Sequence, residues 1–206
     1  MVKLSELQHD ALVEIFNIGV GHAARAMSEI VNEEVTMSVP SISFVNRADA
    51  AAMLGKGGTA RVCGVSQHYD GAFSTDAILM FPEDKSLDIV RLMVGESVPL
   101  KQLTDMEQEA MSEIGNIILN SCMGTLANIF DQELSGSLPA YHLGTSEEIL
   151  AASGGAADAV VLMLHIDFIL EAHQIHGYVA FILDLSALHD LQDQVDLYLV
   201  KVMGKA

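Results

Sequence analysis

Two runs of polar residues repeat along the chain, and their residue types and spacing could perform chemistry. Each run has a carboxylate, a second carboxylate four residues later and a side-chain amide three residues after that. The members are Asp10, Glu14 and Asn17 in the first run and Glu109, Glu113 and Asn116 in the second. At 3.6 residues per turn, these positions lie within an arc of about 60° on one helix face. The amide offers a donor and an acceptor, which is enough to orient a water molecule without being ionised.

A solvated helix face is the alternative explanation for either run taken alone, because surface helices commonly carry such residues. Two copies at matched positions weaken that explanation. Each Asn is also followed 23 residues later by a proline, at Pro40 and Pro139. Asn is a poor helix former, so its presence in the middle of two predicted helices favours a functional reason.

The two runs belong to a longer internal repeat. Shifting the chain by 99 positions aligns residues 5–40 with residues 104–139 and gives nine identities in 36 positions. Both segments begin with a capping-box pattern, at Ser5 and Thr104, and continue with apolar residues at helical spacing. We therefore predict long helices at about 5–31 and 104–131. The small residues Gly19, Gly21, Ala23 and Ala24 would permit close packing of the first helix.

Strand-like sequence follows each long helix. We predict three strands and a further helix in each half, with the helices at 87–94 and 187–203. The predicted strands are residues 35–45, 60–65, 72–81, 134–142, 159–168 and 177–184. The resulting fold class is α+β. It consists of one pseudo-two-fold duplicated domain over residues 1–206, with repeats at about 1–99 and 100–206 sharing a six-stranded, mainly antiparallel sheet.

Composition excludes several classes of function. The formal net charge of −18 argues against nucleic acid and anionic membranes as partners, since both need a basic surface. Cys63 and Cys122 are too few for a disulfide framework, and the first residues lack a signal-peptide pattern, so we expect a cytoplasmic protein. The spacings of His165, His173 and His176 match no standard ligand set. We expect neither a metal nor a cofactor of its own.

The pattern Asp/Ser-x-x-x-Glu-x-x-Asn, followed after 22 residues by Pro, resembles the signature of the CheC/CheX/FliY phosphatases. The run from Glu14 to Ala24 is similar to that family's Glu-Ile-Gly-Asn-Ile-Gly-x-Gly-x-Ala-Ala, and residues 113–117 match its second copy. Two copies in about 200 residues are most like CheC, since CheX is shorter and carries one copy. FliY has the same core within a longer protein.

The resemblance implies a protein phosphatase that hydrolyses the aspartyl phosphate of a CheY-like response regulator. In this family's mechanism, Asn17 and Asn116 would position the attacking water, while Glu14 and Glu113 would anchor the regulator. Asp10, Pro40, Glu109 and Pro139 would support the motifs. Mg²⁺ is expected on the partner regulator. The alternative is a non-catalytic adaptor that binds a response regulator or a CheD-like partner.

Two residues depart from the family pattern. Phe16 replaces the Gly that usually precedes the first Asn, and its bulk either obstructs the first site or fills a gap in the core. Glu109 replaces the usual Asp or Ser at the head of the second motif. Since the second Asn stands in the family's usual setting, we predict that Glu113 and Asn116 form the more active pair.

Overall fold

The computed structural model describes residues 4–54, 58–94, 99–154, 159–170 and 173–204. Within these ranges the chain forms six helices and seven strands. The elements in order are α1 (Glu6–Val31), β1 (Val35–Val45), α2 (Arg47–Met53), β2 (Arg61–Gly71), β3 (Thr75–Pro82), α3 (Glu83–Val94), α4 (Leu100–Phe130), β4 (Leu134–Gly136), β5 (Ala140–Thr145), α5 (Ser146–Ala152), β6 (Val160–Leu170), β7 (His173–Leu183) and α6 (Leu185–Met203).

The described strands form one antiparallel sheet with helices on both faces. Its order is β1-β6-β7-β3-β2-β4, and β5 also pairs with β2. The larger core lies between one face of the sheet and α1, α3, α4 and α6. A smaller core lies on the opposite face, beneath α2 and α5. We call this second face the outer face.

Strand β6 illustrates why both faces are covered at one end. Leu162 and Leu164 point into the larger core, whereas Val161 and Met163 point into the smaller core. Residues that alternate along a strand lie on opposite faces, so this run of apolar residues requires cover on both sides. The α+β class predicted from the sequence is therefore confirmed.

The long helices α1 and α4 pack directly against each other. A Cβ atom at Gly19 would lie 3.0 Å from the Cα of Cys122. A larger residue would push the helix axes apart, so the predicted role of a small residue in close helix packing is confirmed at Gly19. Gly21 is exposed and a Cβ there would meet nothing within 4 Å, so it does not contribute to this contact.

Several details of the predicted elements are wrong. Strand β2 extends to Gly71 rather than to 65, β7 begins at His173 rather than at 177, and α3 begins at Glu83 rather than at 87. The sheet has seven described strands rather than six, because the strand predicted at 134–142 divides into β4 and β5. Pro139 lies between them and has no N–H for a continuous ladder. Helix α4 begins at Leu100 with Pro99 as its N-cap, so Thr104 lies in the second turn rather than at a capping box. The short helices α2 and α5 were not predicted.

The described elements recur at the offset seen in the sequence. Helices α2 and α5 begin 99 positions apart, and so do strands β2 and β6. The division into two repeats within one domain stays a prediction, and these positions agree with it. None of the described helices combines the length and the apolar character needed to cross a bilayer.

Candidate functional site

The capping of α1 fixes the register of the first motif. Gln8 donates its backbone N–H to Ser5 Oγ at 3.2 Å, and the backbone N–H of Ser5 donates to Gln8 Oε1 at 2.8 Å. The helix then buries Leu12, Ile15, Phe16 and Val20 against the core. Asp10 and Glu14 consequently face solvent, and Asn17 is half-buried.

The side chain of Asn17 is bonded to the main chain of the neighbouring edge strand. Its Nδ2 donates to Val39 O at 3.3 Å and to Val13 O at 2.9 Å. Its Oδ1 accepts the backbone N–H of Val39 at 2.9 Å. Both hydrogens of the amide are therefore used within the protein, and the amide ties β1 to α1.

Pro40 lies at an irregularity in β1 immediately after this attachment. The register of β1 with β6 shifts between Ser38 and Ser41. Proline cannot donate a ladder hydrogen bond, so it is tolerated at such a bulge on an edge strand. The backbone N–H of the buried residue Val39 donates to Asn17 Oδ1 instead. The fixed spacing of Asn17 and Pro40 thus has a structural explanation in the first copy.

Asn116 is bonded in a different way, through its oxygen alone. Asn116 Oδ1 accepts from Gln67 Nε2 at 3.2 Å and from Asn120 Nδ2 at 2.7 Å. Gln67 Nε2 also donates to the carbonyl of Ser137 at 2.9 Å, which identifies it as the nitrogen. The atom of Asn116 that faces it must therefore be the oxygen. Within the described ranges, Asn116 Nδ2 has no hydrogen-bond partner, and it is not sealed from solvent.

A buried polar network holds Asn116 in this orientation. Gln67 is only 3% exposed, and the hydroxyl of Tyr69 lies 3.0 Å from Gln67 Oε1 and 2.9 Å from Asn120 Oδ1. Burial raises the pKa of Tyr69 above its ordinary value, so the hydroxyl keeps its proton and remains a donor. These supporting residues were missed in the sequence. The feature of the sequence that could have indicated them is Gln67, a glutamine at an inward-facing position of β2 between the buried residues Val65 and Tyr69.

A cleft of about 690 Å³ lies beside the second motif. Glu109, Glu113 and Pro139 line it together with Met93 of α3. Glu113 is exposed and has neither a hydrogen bond nor an ion pair with any residue that the structure describes. A carboxylate without an internal partner is available to a cation of another molecule.

The residue before Pro139, which lines this cleft, is an exposed leucine. Leu138 is 90% exposed, although its counterpart 99 positions earlier, Val39, is 2% exposed. In the second copy Gln67 occupies the gap between Asn116 and the Ser137 carbonyl. The segment that carries Leu138 is thereby held away from α4, and its apolar side chain projects into solvent.

The cleft beside the first motif is smaller and lies at the start of α1. Its volume is about 500 Å³, and Asp10 and His9 line it with Phe44 of β1. Neither Glu14 nor Asn17 lines this cleft. The Asp10 carboxylate lies 3.6 Å from His9 Nδ1. The two motifs therefore differ in their Glu, since Glu113 lines its cleft and Glu14 does not, whereas neither Asn116 nor Asn17 lines either of these two clefts.

Phe16 fills the core and does not obstruct the exposed face of α1. It is 1% exposed and stacks on Phe181 of β7, with ring centroids 5.3 Å apart. Its counterpart Gly115 lies against β2, where an added Cβ would come within 2.4 Å of Val65 Cγ1. Of the two interpretations of Phe16, core filling is the one that the structure supports.

Comparison with known proteins identifies similar chains. The model of the CheC-like family matches residues 7–44, which contain the first motif. The CheY-P phosphatase CheC of Bacillus subtilis (strain 168) is 27% identical over 143 residues, covering 68% of each chain.

Solved structures share the fold. Thermotoga maritima FliY superposes with a TM-score of 0.76 at 16% identity, covering 96% of this chain and 100% of that one. The CheX–CheY–BeF3–Mg²⁺ complex from Borrelia burgdorferi gives a TM-score of 0.53 at 15% identity, covering 84% of this chain and 97% of that one. At these identities the likeness is one of fold.

Proposed function

Because the chain is a CheC-like member of the CheC/CheX/FliY family, we propose that it hydrolyses the aspartyl phosphate of a CheY-like response regulator. The observation that carries the proposal is the state of the second motif. Asn116 is fixed through its oxygen with its NH₂ group available to solvent, three residues after Glu113, which is exposed and pairs with none of the described residues.

The relatives support this choice of reaction and partner. The Bacillus subtilis relative is named a CheY-P phosphatase, and the Borrelia burgdorferi neighbour is a CheX bound to CheY with BeF3 and Mg²⁺. We propose a phosphorylated CheY-like receiver domain as the partner of this chain. The Mg²⁺ would belong to the pocket of the regulator, next to the phosphate.

The reaction needs little from the phosphatase beyond a correctly placed water. Water attacks phosphorus, the bond from phosphorus to the aspartyl oxygen breaks, and the products are the aspartate carboxylate, hydrogen phosphate and a proton. Asn116 Nδ2 would donate to the oxygen of that water and leave its other lone pair directed at phosphorus. Positioning of this kind can supply a large part of the acceleration in phosphoryl transfer.

Glu113 has the position required of an anchor. It lies one helical turn before Asn116 and lines the cleft, and its carboxylate has no partner among the described residues. A lysine of the regulator that pairs with Glu113 would bring the phosphorylated aspartate towards Asn116. An exposed pair is worth only about 0–1 kcal/mol, so its contribution is mainly orientation.

The first motif would contribute less. Both hydrogens of Asn17 Nδ2 bond to main-chain carbonyls, so this amide must give up a hydrogen bond before it can donate to a water. We propose that Asn17 acts chiefly as the link between α1 and β1. These hydrogen bonds of Asn17 support the sequence-based prediction that Glu113 and Asn116 form the more active pair. The reason is the bonding of the Asn17 amide and not the bulk of Phe16.

The proposal is tested by the lifetime of the phosphate on a phosphorylated CheY-like regulator. Wild-type protein should shorten it, and the double variant Asn17→Ala/Asn116→Ala should lose at least about 100-fold of the acceleration, since misplacing the reacting water costs that much. Asn128→Ala removes an exposed amide further along α4 and serves as the control that keeps activity. Failure of wild-type protein to accelerate, or full activity in the double variant, would contradict the proposal. A stable complex that leaves the phosphate lifetime unchanged would favour the adaptor alternative.

A further inference from the structure

Three potential metal ligands meet on the part of the outer face that lies beyond α2 and α5. His165 and Asp167 are two residues apart on β6 and therefore point to the same side of the sheet. His176 on β7 is the cross-strand partner of Asp167. We propose that these three side chains bind one divalent transition-metal ion of the zinc class. This goes beyond the proposed phosphatase function and involves the opposite face of the sheet from α1 and α4.

The distances suit a shared ion. Asp167 Oδ1 lies 2.6 Å from His176 Nδ1 and 3.7 Å from His165 Nε2. One ligand atom from each residue lies within 4.8 Å of the other two. A tetrahedral zinc ion with bonds of about 2.0–2.2 Å holds its ligand atoms about 3.3–3.6 Å apart, so small side-chain rotations would admit it.

One ligand is already held in place by its neighbours. The ring of His165 stacks on Tyr178, with centroids 5.1 Å apart and an angle of 21° between the planes. His165 and His176 also lie side by side, with ring centroids 5.5 Å apart. The exposed fraction of the side chain is 30% for His165, 20% for Asp167 and 55% for His176. The ion would therefore keep coordination positions that are open to water.

The ligand set defines the class of ion. Two imidazoles and one carboxylate suit Zn²⁺ and its neighbours Co²⁺, Ni²⁺ and Cu²⁺. Mg²⁺ and Ca²⁺ prefer oxygen ligands and would bind poorly. Asp167 forms no ion pair with a lysine or arginine in the part of the chain that the structure describes. Its charge is therefore available to a metal.

The other hairpin of the sheet provides an internal control. His68 on β2 pairs across the strands with Asp76 on β3, and His68 Nδ1 lies 2.8 Å from Asp76 Oδ1. Ser66 stands 99 positions before His165, so this hairpin lacks the second imidazole. A histidine next to carboxylates alone should bind zinc more weakly than the cluster on β6 and β7.

Calorimetric titration of the metal-free full chain with Zn²⁺ tests the proposal. We expect one site per chain, with affinity at least about tenfold weaker in His176→Gln and in Asp167→Asn and unchanged in His68→Gln. Far-UV circular dichroism of each variant checks the fold, which His176→Gln should preserve because its side chain is mostly exposed. Bound Co²⁺ should give visible absorption that is altered in the same two variants.

Three results would overturn this inference. The first is the absence of saturable Zn²⁺ binding by the wild-type protein. The second is equal affinity in wild type and a folded His176→Gln variant. The third is a loss of affinity in His68→Gln as large as that in Asp167→Asn. In each case the cluster would be a hydrogen-bonded His–Asp pair and no more. Because none of these readouts uses phosphate hydrolysis, failure here would leave the proposed phosphatase untouched.

Discussion

Asn17 and Asn116 occupy matching positions on two helices, yet their amides make different hydrogen bonds. Asn17 gives both amide hydrogens to main-chain carbonyls, while Asn116 accepts two hydrogen bonds at its oxygen. The residue type and spacing are the same in both copies. The neighbouring segment decides the difference, because Val39 reaches Asn17 directly and Gln67 intervenes at Asn116.

The link made by Asn17 should be visible in stability. Asn17→Ala leaves the buried N–H and carbonyl of Val39 without their partner, which should cost about 1–3 kcal/mol in the free energy of unfolding. Urea denaturation measures this cost. Asn116→Ala should cost less, because Gln67 keeps its hydrogen bond to Ser137. Equal costs for the two variants would contradict the structural role of Asn17.

Leu138 should contribute to docking of the regulator if the proposed function holds. Leu138→Ala removes an apolar side chain that is 90% exposed, so stability should change little while the KM for the phosphorylated regulator rises several-fold. Steady-state dephosphorylation kinetics measure the change. Leu197→Ala, on a leucine of α6 that is 64% exposed, is the matched control and should leave KM unchanged. The same KM in both variants would exclude Leu138 from the interface.

The sequence identifies the repeated Glu and Asn residues because a pattern seen twice can be recognised without a structure. It does not reveal Gln67, Tyr69 and Asn120, whose importance depends on which side chains meet between β2 and α4. His165 and His176 were considered as ligands from the sequence and set aside, because their spacing does not show that Asp167, nine residues before His176, is its cross-strand neighbour. Such contacts depend on sheet register, which a single sequence determines weakly.

At the scale of the elements, the two long helices contact the sheet differently. Gly115 brings α4 onto Val65 of β2, whereas Phe16 on α1 fills the equivalent space with a ring stacked on Phe181. The helix with the glycine is also the one whose Asn is connected to the sheet through Gln67. Close approach of α4 to β2 is therefore part of how the second site is built.

The packing of α4 gives a test with a built-in control. Gly115→Ala places a Cβ within 2.5 Å of Val65 Cβ, and the resulting strain should lower stability by about 1–3 kcal/mol. Gly21→Ala adds a methyl group in open space on α1 and should raise stability by about 0.5–1 kcal/mol through helix propensity. Thermal or urea unfolding of the two variants measures both changes, a decrease in stability for Gly115→Ala and an increase for Gly21→Ala. A tolerated Gly115→Ala would contradict the close contact of α4 with β2.

The elements themselves were predicted with uneven success, for identifiable reasons. The long helices and most strands follow from periodicity, and β1 was predicted at its observed bounds. Helices α2 and α5 span seven residues each, too few for a periodic signal. Their caps were readable, since Asn46 and Thr145 accept hydrogen bonds from the first turns. The start of α4 was misplaced because Pro99, which makes no side-chain capping bond, precedes it.

At the scale of the whole molecule, both cysteines are part of the core and couple stability to high pH. Burial raises the pKa of Cys63 to about 12, and burial likewise raises the pKa of Cys122 to about 12. An unfolded thiol ionises near pH 9, so between pH 9 and 12 the unfolded chain loses protons that the folded chain keeps. Stability is therefore complete below pH 9 and falls as pH rises towards 12.

This pH dependence can be measured by urea denaturation at pH 8 and pH 10. Each thiol should cost about 1.4 kcal/mol per pH unit above pH 9, and one pH unit of the measured interval lies above that value, so the free energy of unfolding should fall by about 2–3 kcal/mol for the two thiols together. The variant Cys63→Ala/Cys122→Ala should show a clearly smaller fall. An equal fall in wild type and variant would assign the effect to other groups.

One comparison tests most directly which of the two amides positions the attacking water. The rate constant for dephosphorylation of a CheY-like regulator is measured with wild type, Asn116→Ala and Asn17→Ala, each checked to be folded. We expect Asn116→Ala to lose about 100-fold or more of the acceleration and Asn17→Ala to keep most of it once its lower stability is taken into account. Loss of activity in a folded Asn17→Ala, with Asn116→Ala still active, would contradict the account.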